Sequence, residues 1–115
     1  MAGLAAGRLD RRIRLERFTA TKDPASNEQI RTWSPLATVW ALHRRASARE
    51  TLAASELSAA TSDVFEIRWD SAWADLSPLD RVIYGGRVHE IVGVSEKGRR
   101  EGLRIDTVAR AGAIA

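Results

Sequence analysis

The strongest pattern along the chain is a period-two alternation of apolar and polar residues, interrupted at intervals by short turn-forming clusters. Arg12 to Phe18 puts Ile13 and Leu15 on one face with Arg12, Arg14 and Glu16 between them, the pattern of a half-buried strand. Thr21 to Gln29 is polar and carries Asp-Pro and Ser-Asn turn chemistry, which predicts a loop. Ile30 to Trp33 predicts a short second strand that Ser34-Pro35 halts. Leu36 to His43 follows as a stronger strand, with Thr38, Trp40 and Leu42 on one side and Val39, Ala41 and His43 on the other. Val64 to Trp69 separates Phe65, Ile67 and Trp69 from Val64, Glu66 and Arg68. Leu103 to Val108 sets Leu103, Ile105 and Thr107 against Arg104 and Asp106.

The most specific local feature is Arg81 to Tyr84, then Gly85-Gly86, then Arg87 to Val94. Two β-branched runs around a Gly-Gly pair predict a hairpin, because tight primed turns need positive φ and glycine adopts it without a Cβ clash. Val82, Tyr84, Val88 and Ile91 are expected to serve the core or sheet. Arg49 to Ala60 is alanine-rich, with Leu52, Glu56 and Leu57 at helical spacing, and predicts one short helix. Asp70 to Asp80 and Ser95 to Gly102 read as charged loops.

These elements predict a mainly β, small single-domain barrel or sandwich of about six short strands with one short helical or loop insertion. The expected layout is a flexible basic N-terminal arm over 1–11, a barrel-like domain over 12–109 with an insertion at 45–60, and a C-terminal tail over 110–115.

Composition narrows the functions available. The 115 residues suit one domain, and the hydrophobic share of 44% with a charged share of 29% is that of a globular chain. No apolar run is long enough to span a membrane. Met1 to Leu9 lacks a charged segment followed by an apolar one, so no secretory signal is expected. With no cysteine, disulfides and thiolate chemistry are excluded. The net charge of +3 is unevenly spread. Met1 to Arg17 carries Arg8, Arg11, Arg12, Arg14 and Arg17 against Asp10 and Glu16, whereas Asp63 to Asp80 carries Asp63, Glu66, Asp70, Asp75 and Asp80 against Arg68 alone. A basic end and an acidic middle suit nucleic acid or head-to-tail subunit contacts.

Catalytic chemistry finds little support. His43 and His89 are the only histidines and lack ligand spacing, so they read as strand positions, with no metal and no cofactor expected. Ser95, His89 and Asp106 can be assembled into a triad on paper, but no nucleophile elbow accompanies them. The carboxylates of Asp63 to Asp80 read as a solvated face rather than a glycosidase pair. Gly85-Gly86 precedes a strand and not a helix N-terminus, so it is no phosphate cradle. No enzyme is expected. Trp33, Trp40 and Trp69 are expected in the core, and Trp73, in a loop, is expected to be exposed or interfacial. A small barrel with clustered arginines and aromatics also fits a single-stranded nucleic-acid binder, the alternative reading.

Taken in order, several segments resemble the head–tail joining, or head-completion, proteins of tailed bacteriophages and phage-like particles. They are Gly7-Arg8-Leu9, Arg12-Ile13-Arg14-Leu15-Glu16-Arg17, Thr32-Trp33, Leu36 to Ala41, Arg49-Glu50, Val64 to Trp69, and Asp80 to Ile91 across the glycine pair. The likeness runs from about Gly7 to Val108. Two departures stand out. The family's first loop carries a glycine turn where this chain has Asp23-Pro24-Ala25-Ser26-Asn27, and Ala48 stands where a glycine usually precedes the Arg-Glu pair.

The resemblance implies a structural connector of adaptor or stopper type. Such a protein forms a homo-oligomeric ring, typically a dodecamer, below the portal–adaptor complex in the neck of a virion, prophage particle or gene transfer agent assembled in the bacterial cytoplasm. Its implied partners are the portal or adaptor ring, tail-terminator or tail proteins, and packaged double-stranded DNA, with no membrane. By position, 45–60 is the channel loop, which puts Arg44, Arg45 and Arg49 near DNA. Arg8, Arg11, Arg12 and Trp73 are the expected contacts to neighbouring subunits or the adaptor.

Overall fold

The alternation seen in sequence closes into a barrel. The computed structural model describes residues 8–49 and 62–114, with backbone alone for 110–114. It holds six antiparallel strands: β1 (Arg11–Lys22), β2 (Gln29–Arg45), β3 (Asp63–Arg68), β4 (Asp80–Tyr84), β5 (Arg87–Lys97) and β6 (Gly102–Ile114). They close in the order β1-β2-β3-β6-β5-β4, which pairs β4 back onto β1 and leaves the barrel wall without a free edge strand. The expected single-domain, mainly β fold is therefore a barrel and not a sandwich.

Inward-facing residues fill the interior. Ile13 and Leu15 from β1, Val39 and Ala41 from β2, Phe65 and Ile67 from β3, Val82 from β4, Ile91 from β5, and Leu103 and Ile105 from β6 form one buried cluster. Leu15 pairs with Val82 and Phe65 with Ile105, all of them fully buried, so cross-strand neighbours are also core neighbours.

The second and third expected strands are one. β2 runs straight through Ser34-Pro35, and its pairing with β1 slips there: Leu15 faces Ala37 and Glu16 faces Pro35, leaving Leu36 as the extra residue. A bulge tolerates proline because one residue drops out of the ladder. β3 pairs with β2 only over Ala41 to Arg45, so at Pro35 the other edge of β2 meets no strand that would need its N–H.

β1 and β2 also reach past the barrel. β4 pairs with β1 only over Arg14 to Arg17, while β1 and β2 stay paired out to Lys22 and Gln29. The far half is a two-stranded ribbon, and the 55 Å long axis of the molecule reflects it. At its tip Asn27 takes positive φ (62°), and Asp23 accepts hydrogen bonds from the Ala25 amide and the Ser26 hydroxyl. Asn27 thus supplies the turn's left-handed position without a glycine.

The glycine hairpin is as expected. Gly85 and Gly86 have φ of 60° and 75°, the turn joins β4 to β5, and Val82, Val88 and Ile91 are buried with Tyr84 packed beside them. Ala48 and Arg49 are helical; the rest of the expected helix, 50–60, lies outside the described residues.

Candidate functional site

Antiparallel register gives the barrel two unlike ends. The connection from β3 to β4 must cross from one side of the sheet to the other, and it does so over one end as a cap. Leu76 joins the core, Trp69 and Trp73 pack against it, and the Trp73 indole N–H donates to the Arg68 carbonyl at 2.8 Å. Trp73 is therefore half-buried, whereas Trp40, expected inside, is 50% exposed. The reason is parity. Val39 and Ala41 point inward, so Trp40 points out, where the Arg12 guanidinium covers its ring at 4.7 Å.

The acidic middle closes largely on its own chain. Arg17 reaches Asp80 at 3.0 and 3.2 Å and Asp75 at 3.0 and 3.3 Å, tying the cap to β1. These bonds, Asp80 foremost, raise the Arg17 pKa further, and Arg17 in turn holds the Asp75 carboxyl below its usual range. Glu16, buried, takes Arg14 at 2.7 Å and Arg81 at 2.8 Å, and Lys97 pairs with Glu66. The acidic segment is thus less free to meet a neighbouring subunit than its charge count suggests.

The opposite end is the mouth. Arg45 pairs with Asp63, Asp63 with Thr107, and Arg14 with Ile83, so the start of β1, the end of β2, the start of β3 and the Gly85-Gly86 turn all lie there. Arg8, Arg11 and Arg12 at the chain's start and Arg44, Arg45 and Arg49 around the insertion share this one end; Trp73 sits at the other. Arg8, Arg11, Arg12, Arg45 and Arg49 are exposed and Arg44 is half-buried. Arg11 approaches Asp10 at 3.8 Å. The turn also brings in Arg87, an exposed residue that the sequence reading did not single out.

Within the mouth the inward-facing rows change from apolar to polar on successive strands: Val39, Ala41, His43, Arg45 on β2; Ile67, Phe65, Asp63 on β3; Ile91, His89 on β5; Leu103, Ile105, Thr107 on β6. Of these, His43, Arg45, Asp63 and His89 line a pocket of about 430 Å³ with Ser62, Tyr84, Gly85, Arg87 and Ala109. Phe65 sits beneath it, with its ring centroid 5.0 Å from His43, 5.4 Å from Tyr84 and 5.5 Å from His89.

Asp63 is the hub of this pocket. His43 Nε2 lies 2.8 Å from Oδ1, the Ser62 hydroxyl donates to Oδ2 at 3.0 Å, and Thr107 Oγ1 donates to the Asp63 carbonyl at 3.0 Å. Burial works to raise the Asp63 pKa, but the hydrogen bonds from His43 and Ser62 outweigh it and hold the carboxyl below its usual range. His89, 4% exposed, is also held below its usual range, here because burial disfavours its charged form. The signal missed in sequence was parity at strand ends: His43, Asp63, His89 and Thr107 occupy core-facing positions yet are polar.

Among the described residues no group of three histidine, cysteine, aspartate or glutamate side chains is placed to hold a metal ion. The paper triad is not assembled, because His89 turns to Asp63 while Asp106 bonds Arg104 at 3.0 Å. No helix of the described residues is long and apolar enough to cross a membrane.

These features define a class: a small closed barrel, capped at one end, with a ribbon arm and a basic mouth that carries an insertion. Residues 4–110 match the phage head completion proteins, and the chain belongs to that family. It is a structural component of the virion and an interactor of other head or tail proteins. The fold is similar to the solution structure of protein SF1141 from Shigella flexneri 2a, at 25% identity and a TM-score of 0.75, over 95% of this chain and 99% of that one. No curated protein matches the sequence.

Proposed function

We propose that this head completion protein assembles as a closed ring, a dodecamer, beneath the portal–adaptor complex of a tailed phage or phage-like particle such as a gene transfer agent, within the bacterial cytoplasm. The ring continues the DNA channel, retains the packaged double-stranded genome and offers the tail its docking surface. Family membership over residues 4–110 carries this reading. The chemistry of the mouth supports the division of labour: Arg44, Arg45 and Arg49 flank the insertion and meet DNA phosphates, while Arg8 and, at the start of β1, Arg11 and Arg12 meet a neighbouring subunit or the adaptor. Trp73, at the capped end, serves the contact on the opposite side of the ring.

Electron microscopy of the particle neck tests the ring directly. A closed ring of this chain below the portal is expected, and its absence from the neck overturns the proposal. Deleting Met1 to Arg12 is expected to abolish assembly onto DNA-filled heads. Replacing Arg44, Arg45 and Arg49 together is expected to lower genome retention and its salt sensitivity, and unchanged retention removes the DNA contact from the proposal.

A further inference from the structure

Among the described residues one buried side-chain polar atom lacks a hydrogen-bond partner: Nδ1 of His89. It lies 3.7 Å from Asp63 Oδ2, too far for a hydrogen bond, so the buried ring stands beside the carboxylate without being bonded to it. The carboxylate is already engaged by His43 on Oδ1 and Ser62 on Oδ2.

Ser62 is also the root of the insertion. The Ala46 amide donates to the Ser62 carbonyl at 3.0 Å, the Ser62 amide donates to the Thr107 carbonyl at 2.8 Å, and the Ala109 amide donates to the Ser62 hydroxyl at 2.9 Å. One residue therefore ties the two ends of the 46–62 segment together, ties them to β6, and holds the Asp63 carboxylate that His89 faces.

We infer that His89 is a proton-sensitive latch for the root of the insertion, with the closed mouth and a proton on Nδ1 mutually antagonistic. In the closed mouth an added charge on His89 rests against the Phe65 ring, with Asp63 on β3 as the facing anion at 3.7 Å. His43 on β2, Arg45 at the end of β2 and Arg87 on β5 add positive or protonatable groups, and Tyr84 on β4 faces it with a neutral phenol. Three cationic or protonatable neighbours stand against one carboxylate that is already shared. A proton is accommodated by opening the mouth to water, and the bonds through Ser62 are the ones that open. Burial that lowers the His89 pKa is the same coupling seen from the proton's side. Acid conditions thus free the insertion root while the apolar barrel below Phe65 stays closed. This inference goes beyond the ring proposal and is tested on the free chain.

Residue-resolved amide exchange between pH 5.5 and 7.5, normalised for intrinsic rates, is the test. Protection at Ala46, Ser62 and Ala109 is expected to fall several-fold relative to Leu15 and Val82 as pH drops, and to become pH-independent in His89→Phe, which keeps an aromatic ring against Phe65. Equal loss in His89→Phe, or no loss in the wild type, overturns the latch. A second measurement does not rely on that variant folding. Imidazole 15N shifts are expected to show His89 titrating below an ordinary histidine and lower still in Asp63→Asn. A His89 titration at the ordinary position, or one that Asp63→Asn leaves unmoved, overturns it equally.

Discussion

Replacing Arg17 with methionine keeps most of the aliphatic stem but removes a guanidinium that makes four hydrogen bonds to two carboxylates. The two acids are unequal. The Asp75 side chain is 72% exposed and regains water when Arg17 goes, so that contact contributes little. The Asp80 side chain is 3% exposed and is left as a buried charge with the Ser77 amide, at 3.0 Å, as its main remaining donor. Stranding a fully buried ion costs about 3–5 kcal/mol; the partial exposure of Arg17 and the surviving Ser77 bond reduce this to about 2 kcal/mol. Urea denaturation at pH 7, followed by tryptophan fluorescence, is expected to show Arg17→Met destabilised by about 2 kcal/mol with an unchanged m-value, and Asp75→Asn by far less. Neutralising the stranded acid in Arg17→Met/Asp80→Asn is expected to recover about 1 kcal/mol, a coupling that additive sites do not show. If Arg17→Met is as mild as Asp75→Asn, or the double variant equals the sum of its singles, the cap is not held by this fork and the acidic segment is a free surface after all.

Three further outcomes are expected. Gly86→Ala leaves room for its Cβ, since nothing lies within 4 Å, yet the positive φ of 75° alone is expected to cost about 1 kcal/mol, read from the denaturation midpoint. Phe65→Ala removes the ring between core and mouth and is expected to cost about 3–5 kcal/mol while loosening His43, Tyr84 and His89, visible as averaging of their side-chain resonances. Stability against pH is expected to fall in two stages. His89 has a lowered pKa, so its contribution is complete above 6.5 and is lost as pH drops through its folded value; Asp63, also lowered, contributes above 3.8 and is lost below that. Denaturation series in His89→Phe should lack the first stage, and in Asp63→Asn the second should shrink to what Asp75 and Asp23 supply.

Much of the fold was legible because it rests on local chemistry. The period-two rows at Ile13 and Leu15, Phe65 and Ile67, and Leu103 and Ile105 mark half-buried strands wherever the chain goes. Gly85-Gly86 demands a primed turn irrespective of its surroundings. Other features depended on which strand lies beside which. Pro35 looked like a stop, and only the slipped pairing with β1 lets β2 carry it. Trp40 left its expected place in the core and Trp73 is half-buried in the cap, since the outward parity of one and the docking of the cap around the other are set by the closed barrel and not by neighbours in sequence.

The sequence by itself determined that this chain is a small, cysteine-free, six-stranded β domain of the head completion kind, because strand periodicity, turn residues and segment order are one-dimensional. Closure, and with it the charge map, belonged to the tertiary structure. Ion pairs and hydrogen bonds form across a few ångströms between residues far apart in the chain: Arg17 with Asp75 and Asp80, and His43 with Asp63. Register is what carried them together. It spent much of the acidic middle on the chain's own basic residues and gathered Arg8, Arg11, Arg12, Arg44, Arg45, Arg49 and Arg87 around the mouth.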